Sequence, residues 1–278
     1  MFHSLPPDFV CVGDSFKFQA AAGITPPPYE PYINGVLQLP PIPVVNVDIS
    51  AELGQVSPVH VWHPGEEMEF SFTYTAKKPG RETVKLVVNK GLSEQIERFD
   101  VHEKCDYDAY LVTVMHLKAD YGEPFESITH VTGTGIMKRD REGSPFLQGD
   151  GKFHLQEDVL TKPSMCVQYY MPPLIMSGPF ELDGKVDDEN NSLDVILSFL
   201  PPGAPVYHGK TICVDENGET GEGWGTAAGG DPTLAGKINA TYFLDGGSRQ
   251  VAIEGGGMDI VKSQADVQYE ATLTIIPR

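Results

Sequence analysis

QIERFDVHEKCDYDAYLVTVMHL, residues 95–117, is the stretch that decides how this chain divides. One strand ends in its first half, and a longer run that starts at Tyr110 is apolar at most positions. A run that is apolar on both faces is typical of a central strand in a sheet. Cys105 lies between the two patterns. We therefore predict that one β-domain occupies residues 1–104 and that a second β-domain occupies residues 105–278.

The composition allows two domains of ordinary size or one large barrel. The chain has 278 residues, of which 40% are hydrophobic, and this is enough to fill a sizeable core. Its formal net charge is −19 and its pI is about 4.7. A field of this sign repels phosphate backbones and anionic bilayers, so we predict no nucleic-acid partner and no binding to acidic membranes.

Export is predicted from indirect signs. No window contains 18 or more consecutive apolar residues, so we predict no membrane insertion. The first residues, MFHSLPPD, lack the basic and apolar regions of a signal peptide. We expect an extracellular or cell-envelope protein whose signal peptide is not part of the given chain.

Four cysteines, none of them in a Cys-x-x-Cys pair, give no support to a zinc site or a redox motif. An even count permits two disulfides, in three possible connectivities. We predict Cys11–Cys105 and Cys166–Cys213, because each bridge then stays within one proposed domain, with Cys105 at the boundary between the two. The alternative is four buried thiols, since cysteine is among the most buried residue types even without a bridge.

The first domain has the pattern of half-buried strands. Alternate residues from Met68 to Tyr74 are apolar, and Pro-Gly pairs at 64–65 and 79–80 mark turns on both sides of this strand. By contrast, residues 23–47 contain seven prolines. Since proline cannot donate to a β-ladder, we predict an extended, partly polyproline-like insertion there that packs on the domain.

Residues 9–20, FVCVGDSFKFQA, contain a Cys-x-Gly-Asp-Ser turn between two short strands. This stretch resembles the opening of bacterial Ig-like repeats from secreted and surface proteins. The later strand rhythm is also similar to the fibronectin type III sandwich. The resemblance implies an Ig-like β-sandwich that acts as a binding or spacer module without catalysis.

The second domain is predicted to contain nine or ten strands and no helix. We expect a larger antiparallel β-barrel or β-sandwich, with short Gly-rich turns, one of them at Gly149–Gly151. Apolar and polar residues alternate regularly from Val267 to Ile275, so this last strand needs a partner. The strand that starts at Tyr110 is the candidate.

The loop DENGETGEGWG, residues 215–225, is the most suggestive stretch for a site. Oxygens of Asp215, Asn217 and Glu219 at alternate positions are suited to Ca²⁺, and Trp224 offers a stacking face for another ligand. The alternative is an acidic β-hairpin tip, which Asn217-Gly218 favours. Calcium is therefore the one cofactor that we consider, and otherwise we predict none.

No nucleophile elbow, phosphate loop or metalloprotease motif is present in the sequence. We predict a non-enzymatic surface protein with a binding or structural role, a protein or glycan partner, and a capacity for self-assembly. Two alternatives stay open: a glycan-active hydrolase, which would have facing carboxylates in a cleft, and a small-ligand carrier, which would have a hollow second domain.

Overall fold

The computed structural model describes these residues: 1–25, 32–33, 36–37, 42–120, 124–199, 207–227, 237–244, 247–250, 253–254 and 265–278. In these residues it has 22 strands and no helix, which confirms the all-β prediction. No helix that is long and apolar enough to cross a membrane occurs in this described part. The chain divides into unit 1, Met1–Cys105 with Arg141–Ser144, and unit 2, Asp106–Asp140 with Pro145–Arg278.

Unit 1 contains ten strands. They are β1 (Val10–Cys11), β2 (Ser15–Gly23), β3 (Tyr32–Ile33), β4 (Val36–Leu37), β5 (Val44–Ala51), β6 (Gly54–Ser57), β7 (His60–Pro64), β8 (Glu67–Ala76), β9 (Gly80–Val88) and β10 (Ser93–His102). One sheet has the order β1-β10-β9-β5-β7 and a second has the order β2-β8-β6. Strand β1 runs parallel to β10, and the other pairs are antiparallel.

About half of the proline-rich insertion, residues 26–31, 34–35 and 38–41, lies outside the described residues. Its described parts include β3 and β4, two residues each, which bond to each other, and the start of β5. For the residues that the structure does not describe, packing of the insertion on the domain stays a prediction.

The core of unit 1 forms where the alternation predicts it. On β8 the side chains of Met68, Phe72 and Tyr74 are buried, and Glu69 and Thr73 between them are exposed. Full burial of a side chain such as that of Phe72 contributes about 1.5–3 kcal/mol. Aromatic rings from β2 and β10 complete this cluster.

A buried carboxylate holds a turn of unit 1 in place. Glu82 is 0% exposed, and its Oε2 accepts a hydrogen bond of 2.6 Å from the hydroxyl of Tyr74. Its Oε1 accepts backbone N–H bonds from Glu52 (2.8 Å), Leu53 (3.1 Å) and Thr83 (2.7 Å). The carboxylate therefore bonds the backbone donors of the turn between β5 and β6, where Glu52 is exposed and Leu53 is half-buried.

Unit 2 contains the remaining strands. They are β11 (Tyr107–Asp120), β12 (Pro124–Arg139), β13 (Phe146–Val159), β14 (Gln168–Tyr170), β15 (Leu174–Asp187), β16 (Ser192–Phe199), β17 (Tyr207–Val214), β18 (Thr220–Ala227), β19 (Lys237–Phe243), β20 (Gly247–Gln250), β21 (Ile253–Glu254) and β22 (Ala265–Pro277). The main sheet has the order β20-β22-β11-β12-β13-β15-β16-β19-β21. Strand β22 pairs with β11 as predicted.

The main sheet closes on itself almost completely. Strands β20 and β21 are near neighbours in sequence, yet β20 pairs with β22 and β21 pairs with β19, at opposite ends of the sheet. The seven longer strands between them therefore form a nearly closed, antiparallel, barrel-like sheet. Closure removes most of the unpaired edge that an open sheet would present.

The predicted turn at Gly149–Gly151 is wrong, because β13 runs through it without interruption. Gly151 pairs with Phe180 of β15, and a Cβ at Gly151 would lie 2.1 Å from the ring atom Cζ of Phe180. The glycine thus makes room for the aromatic ring inside the sheet. Phe180 and Phe153 both pack edge-to-face against Phe199 in the same interior.

Both predicted disulfides are confirmed. Cys11 and Cys105 are joined with their Cα atoms 6.3 Å apart, and Cys166 and Cys213 with theirs 5.1 Å apart. The second bridge belongs to a separate three-stranded sheet of unit 2, with the order β14-β17-β18. It links β17 to the segment that leads into β14, so it anchors the β17–β18 hairpin next to its tip.

Candidate functional site

The outer face of strands β11, β12 and β13 carries an open groove of about 670 Å³. Its lining combines one aromatic ring with charged, amide and hydroxyl side chains and with glycine backbone: Asp108, Tyr110, Thr134, Gly135, Ile136, Lys138, Gln148, Gly149, Asp150, Gly151 and Lys152. We call this the outer-face groove. All of these residues belong to unit 2.

Strand register decides which side chains meet in the outer-face groove. Tyr110 pairs with Thr134, which pairs with Lys152, so these residues form one row across three strands. Asp108, Ile136 and Asp150 form the next row on the same face. Neighbouring strands are about 4.8 Å apart, so side chains of one row lie within reach of a single small ligand.

The sequence interpretation missed the aromatic side chain of this groove. The strand that starts at Tyr110 was expected to be covered on both faces, but Tyr110 is 43% exposed and Val112 is 53% exposed. Both point to the outer face, and only the alternate residues, such as Leu111, are buried. The sequence signal that could have revealed the groove is the alternation of side chains along the strand. Tyr110 alternates with the buried residues, so its aromatic ring lies on the outer face and needs another partner there.

The groove is chemically mixed. Carboxylates, ammonium groups, an amide and a hydroxyl supply both donors and acceptors, and Tyr110 adds an apolar ring with a polar tip. The carboxylate oxygen Oδ1 of Asp108 lies 3.8 Å from Nη1 of Arg278. This is a weak ion pair, so the carboxylate remains able to bind a ligand. Such a set suits an uncharged ligand with many hydroxyl groups and one apolar face.

The predicted loop forms the tip of the β17–β18 hairpin. Asp215 accepts backbone hydrogen bonds of 2.8 Å from Asn217 and of 2.8 Å from Glu219, both at Oδ1. Gly218 has φ +81° and donates its N–H to the carbonyl of Asp215. One carboxylate oxygen is therefore used to shape the turn, as the hairpin alternative requires.

A smaller pocket of about 510 Å³ lies beside this hairpin tip. Asp215 and Glu219 line it, together with the Cys166–Cys213 bridge and Met165, which is 86% exposed. We call this the hairpin pocket. It brings two of the predicted ligand residues together with an apolar side chain.

Two predicted residues of the loop are not part of the hairpin pocket as described. Asn217 does not line it, and of Trp224 only the backbone, paired with Lys210, lies within the described part of the chain. No three His, Cys, Asp or Glu side chains are grouped as a metal site in the residues that the structure describes. The calcium site stays a prediction.

The carboxyl groups with a shifted pKa are held in their ionised form. Hydrogen bonds from Lys118 and then from His116, at 3.1 Å and 2.6 Å from the same oxygen, lower the pKa of Glu126. The side chain and backbone of Asn190 lower the pKa of Asp187. A lowered pKa suits an ion pair or a turn cap, whereas the acid of a glycoside hydrolase needs a raised one.

No protein-family model, no curated protein and no solved structure matches this chain.

Proposed function

We propose that this chain is an exported, non-enzymatic binding protein and that its outer-face groove holds a carbohydrate. The observation that carries the proposal is the exposed ring of Tyr110 in a row with Thr134 and Lys152, on the floor of a groove of about 670 Å³. Ligand sites are commonly about 300–1,000 Å³ in volume.

The chemistry of a sugar fits this groove from two sides. The C–H face of a pyranose ring packs on an aromatic ring such as that of Tyr110, and its hydroxyl groups both donate and accept hydrogen bonds. Asp150 and Gln148 supply acceptors, and Lys152 supplies donors, along the edges of the same groove. Because the groove is open, a long glycan could lie across the strands without its ends being enclosed.

Export is supported by the two disulfides. Bridges of this kind form and persist in oxidising compartments and are rare in reducing ones. Both bridges join residues far apart in sequence, by 94 and 47 positions, so each constrains a large part of its unit. An extracellular or envelope location is the simplest setting for such a chain.

Unit 1 is proposed to be an Ig-like sandwich. The sheet order β10-β9-β5-β7 corresponds to the G-F-C-C′ strands of an Ig domain, and the pair β2-β8 corresponds to B-E. Strand β6 lies beside β8, where strand D lies in an Ig domain, but it precedes β7 in the chain. The parallel pairing of β1 with β10 adds a short first strand beside the last one. This unit would serve as a spacer or as a second binding module.

A glycan hydrolase is the main rival. Asp108 and Asp150 lie on the same face with β12 between them, which places their strands about 9–10 Å apart. Inverting hydrolases hold two carboxyl groups at about 6.5–9.5 Å, but one of them must be shielded from water to serve as an acid. Asp150 is exposed on an open face, so binding is favoured over cleavage.

The proposal is tested on a glycan array with the oxidised protein and with Tyr110→Ala. The matched control is Tyr170→Ala, because Tyr170 is 63% exposed on β14 and does not line the groove. We expect wild type and the control to bind the same glycans and Tyr110→Ala to bind at least tenfold more weakly. Equal binding by all three proteins, or no glycan binding by wild type, would refute the proposal.

Cleavage is tested on the same glycans. Prolonged incubation of each bound glycan with wild type, followed by mass analysis of the sugar, should return it intact. Cleavage that persists in Asp150→Asn but is abolished when the protein is denatured by heat would point to a hydrolase site outside the outer-face groove.

A further inference from the structure

Four hydroxyl groups are buried inside the main sheet of unit 2 without hydrogen-bond partners among the described residues. They are Thr113 Oγ1, Ser127 Oγ, Thr129 Oγ1 and the hydroxyl of Tyr269. The three short side chains are at most 1% exposed. Buried polar groups in proteins are nearly always bonded, so four orphans in one place need an explanation.

Strand register brings three of the four hydroxyl groups together. Met115 of β11 pairs with Tyr269 on one side and with Thr129 on the other, so these two residues flank the same position. Thr113 lies two residues earlier on β11, diagonal to both of them. Ser127 pairs with Leu117, so it lies on the far side of the Met115 row from Thr113. All four share the inner face, since side chains two apart on a strand point the same way.

Apolar side chains such as those of Met115 and Val131 surround the hydroxyl groups, and one charged residue, Glu157, pairs with Thr129 on the same face. Burial raises the pKa of the Tyr269 phenol, and the nearby hydroxyl of Thr113 opposes this shift, although the two hydroxyls do not meet with hydrogen-bond geometry. An unpaired hydroxyl in such a place weakens folding by roughly tenfold in the equilibrium constant. A bound group that bridges several of them would remove this cost.

The hydroxyl cluster lies towards one end of the sheet. Among the described residues at that end, the inward-facing Val267, Tyr269, Val159 and Leu174 are only half-buried. At the opposite end the inward-facing residues are closed off from solvent: Tyr107, Met137, Leu147, Val186 and Leu193.

We propose that Thr113, Thr129 and Tyr269 form an internal binding site for a neutral oxygen group that both donates and accepts hydrogen bonds. The group is either an ordered water molecule or the hydroxyl of a small uncharged ligand. Hydroxyls offer no counter-charge for an anion, and Glu157, half-buried on the same inner row as Thr129, disfavours an anion further.

The sign of a stability change tests the proposal. Thr129→Val replaces the hydroxyl with a methyl group of nearly the same size, and Thr132→Val makes the same exchange on the exposed face of β12. If a bound group bridges the cluster, Thr129→Val lowers the folding equilibrium constant of the oxidised full chain by about tenfold relative to Thr132→Val. If the hydroxyl is simply unpaired, Thr129→Val raises it or leaves it unchanged, which would overturn the proposal.

Two readouts on the folded protein distinguish the occupants. Native mass spectrometry of wild type and of Thr113→Val/Thr129→Val shows whether a small molecule is retained and is lost with the hydroxyls. Where no extra mass is retained, cross-relaxation between bulk-exchangeable water and the methyl protons of Met115, which lies between Tyr269 and Thr129, reports an ordered water. Either signal, lost in the double variant, supports the site, and the absence of both would refute it.

Discussion

Replacement of Glu82 by glutamine is the sharpest test of how unit 1 is held together. The carboxylate is fully buried and accepts bonds from the Tyr74 hydroxyl and from the backbone N–H groups of Glu52, Leu53 and Thr83. Glutamine has the same shape but offers one acceptor oxygen, and its NH₂ group faces the donors that the second oxygen served. The charge that strengthens every bond is also lost.

The expected loss of stability follows from this bond count. Hydrogen bonds to a charged group contribute about 1.5–3 kcal/mol each, and neutral ones about 0.5–1.5 kcal/mol. All four bonds lose charge assistance, and one of them also loses its acceptor. The cost of burying the charge is removed, which offsets part of this loss. We predict that Glu82→Gln destabilises unit 1 by about 3 kcal/mol and Tyr74→Phe by about 2 kcal/mol.

The assay is hydrogen exchange with mass analysis in low urea, which reads unit 1 and unit 2 peptides separately. A loss of about 3 kcal/mol accelerates exchange at Leu53 by roughly 150-fold. Glu94→Gln is the matched control, because Glu94 is paired with Lys85 at 2.7 Å on the exposed side of the same sheet. Surface pairs contribute at most about 1 kcal/mol, so the control should change exchange little.

Two results would refute the reasoning. One is a change below about 0.5 kcal/mol for Glu82→Gln, which would mean that the turn does not depend on the carboxylate. The other is additivity of Glu82→Gln and Tyr74→Phe, since two groups that bond to each other must show a coupling of at least about 0.5 kcal/mol.

Two further predictions concern unit 2. Replacement of Cys166 and Cys213 by alanine should lower its stability in urea by about 4 kcal/mol, as expected for a closed loop of 47 residues, and an unchanged midpoint would contradict this. Glu126, whose pKa is lowered by Lys118 and then by His116, should stabilise the fold fully above its ordinary pKa of 4.5 and lose this contribution as the pH falls through the lowered pKa. Unfolding of Glu126→Gln and wild type across pH should therefore differ near neutrality and converge in acid, and a difference that persists in acid would refute the assignment.

Local patterning was sufficient to predict the class of the fold. The alternation of apolar and polar residues at Met68–Tyr74 and at Val267–Ile275 identified half-buried strands. The pairing of the second of these strands with β11 was also predicted. The cysteine pairing followed from keeping each bridge within one domain. These inferences depend on short-range periodicity or on a count of cysteines, and both are visible in a single sequence.

The role of a glycine is harder to predict from sequence, because it depends on residues far away in the chain. The sequence predicts a turn at Gly151, yet this residue lies inside β13, where Phe180 occupies the space that a side chain would fill. The sequence alone does not distinguish a glycine that allows close packing from a glycine that forms a turn. Only the pairing of β13 with β15 separates the two roles.

The candidate sites were hidden for the same reason. Tyr110, Thr134 and Lys152 are separated by 24 and then 18 positions in the chain and become neighbours only through register. Thr113 and Thr129 are likewise in phase with buried apolar rows, which marks them as inward-facing but not as neighbours. The one site that local sequence did suggest, the loop at Asp215, is short-range by nature.

An amide chemical-shift titration tests the carbohydrate-binding proposal most directly. The oxidised full chain would be titrated with the glycan that binds most tightly on the array. We predict that the largest shifts fall on Tyr110, Thr134 and Lys152 and on their neighbours across β11, β12 and β13. Shifts confined to the hairpin tip at Asp215–Gly221, or no shifts with any glycan, would contradict the assignment of the outer-face groove.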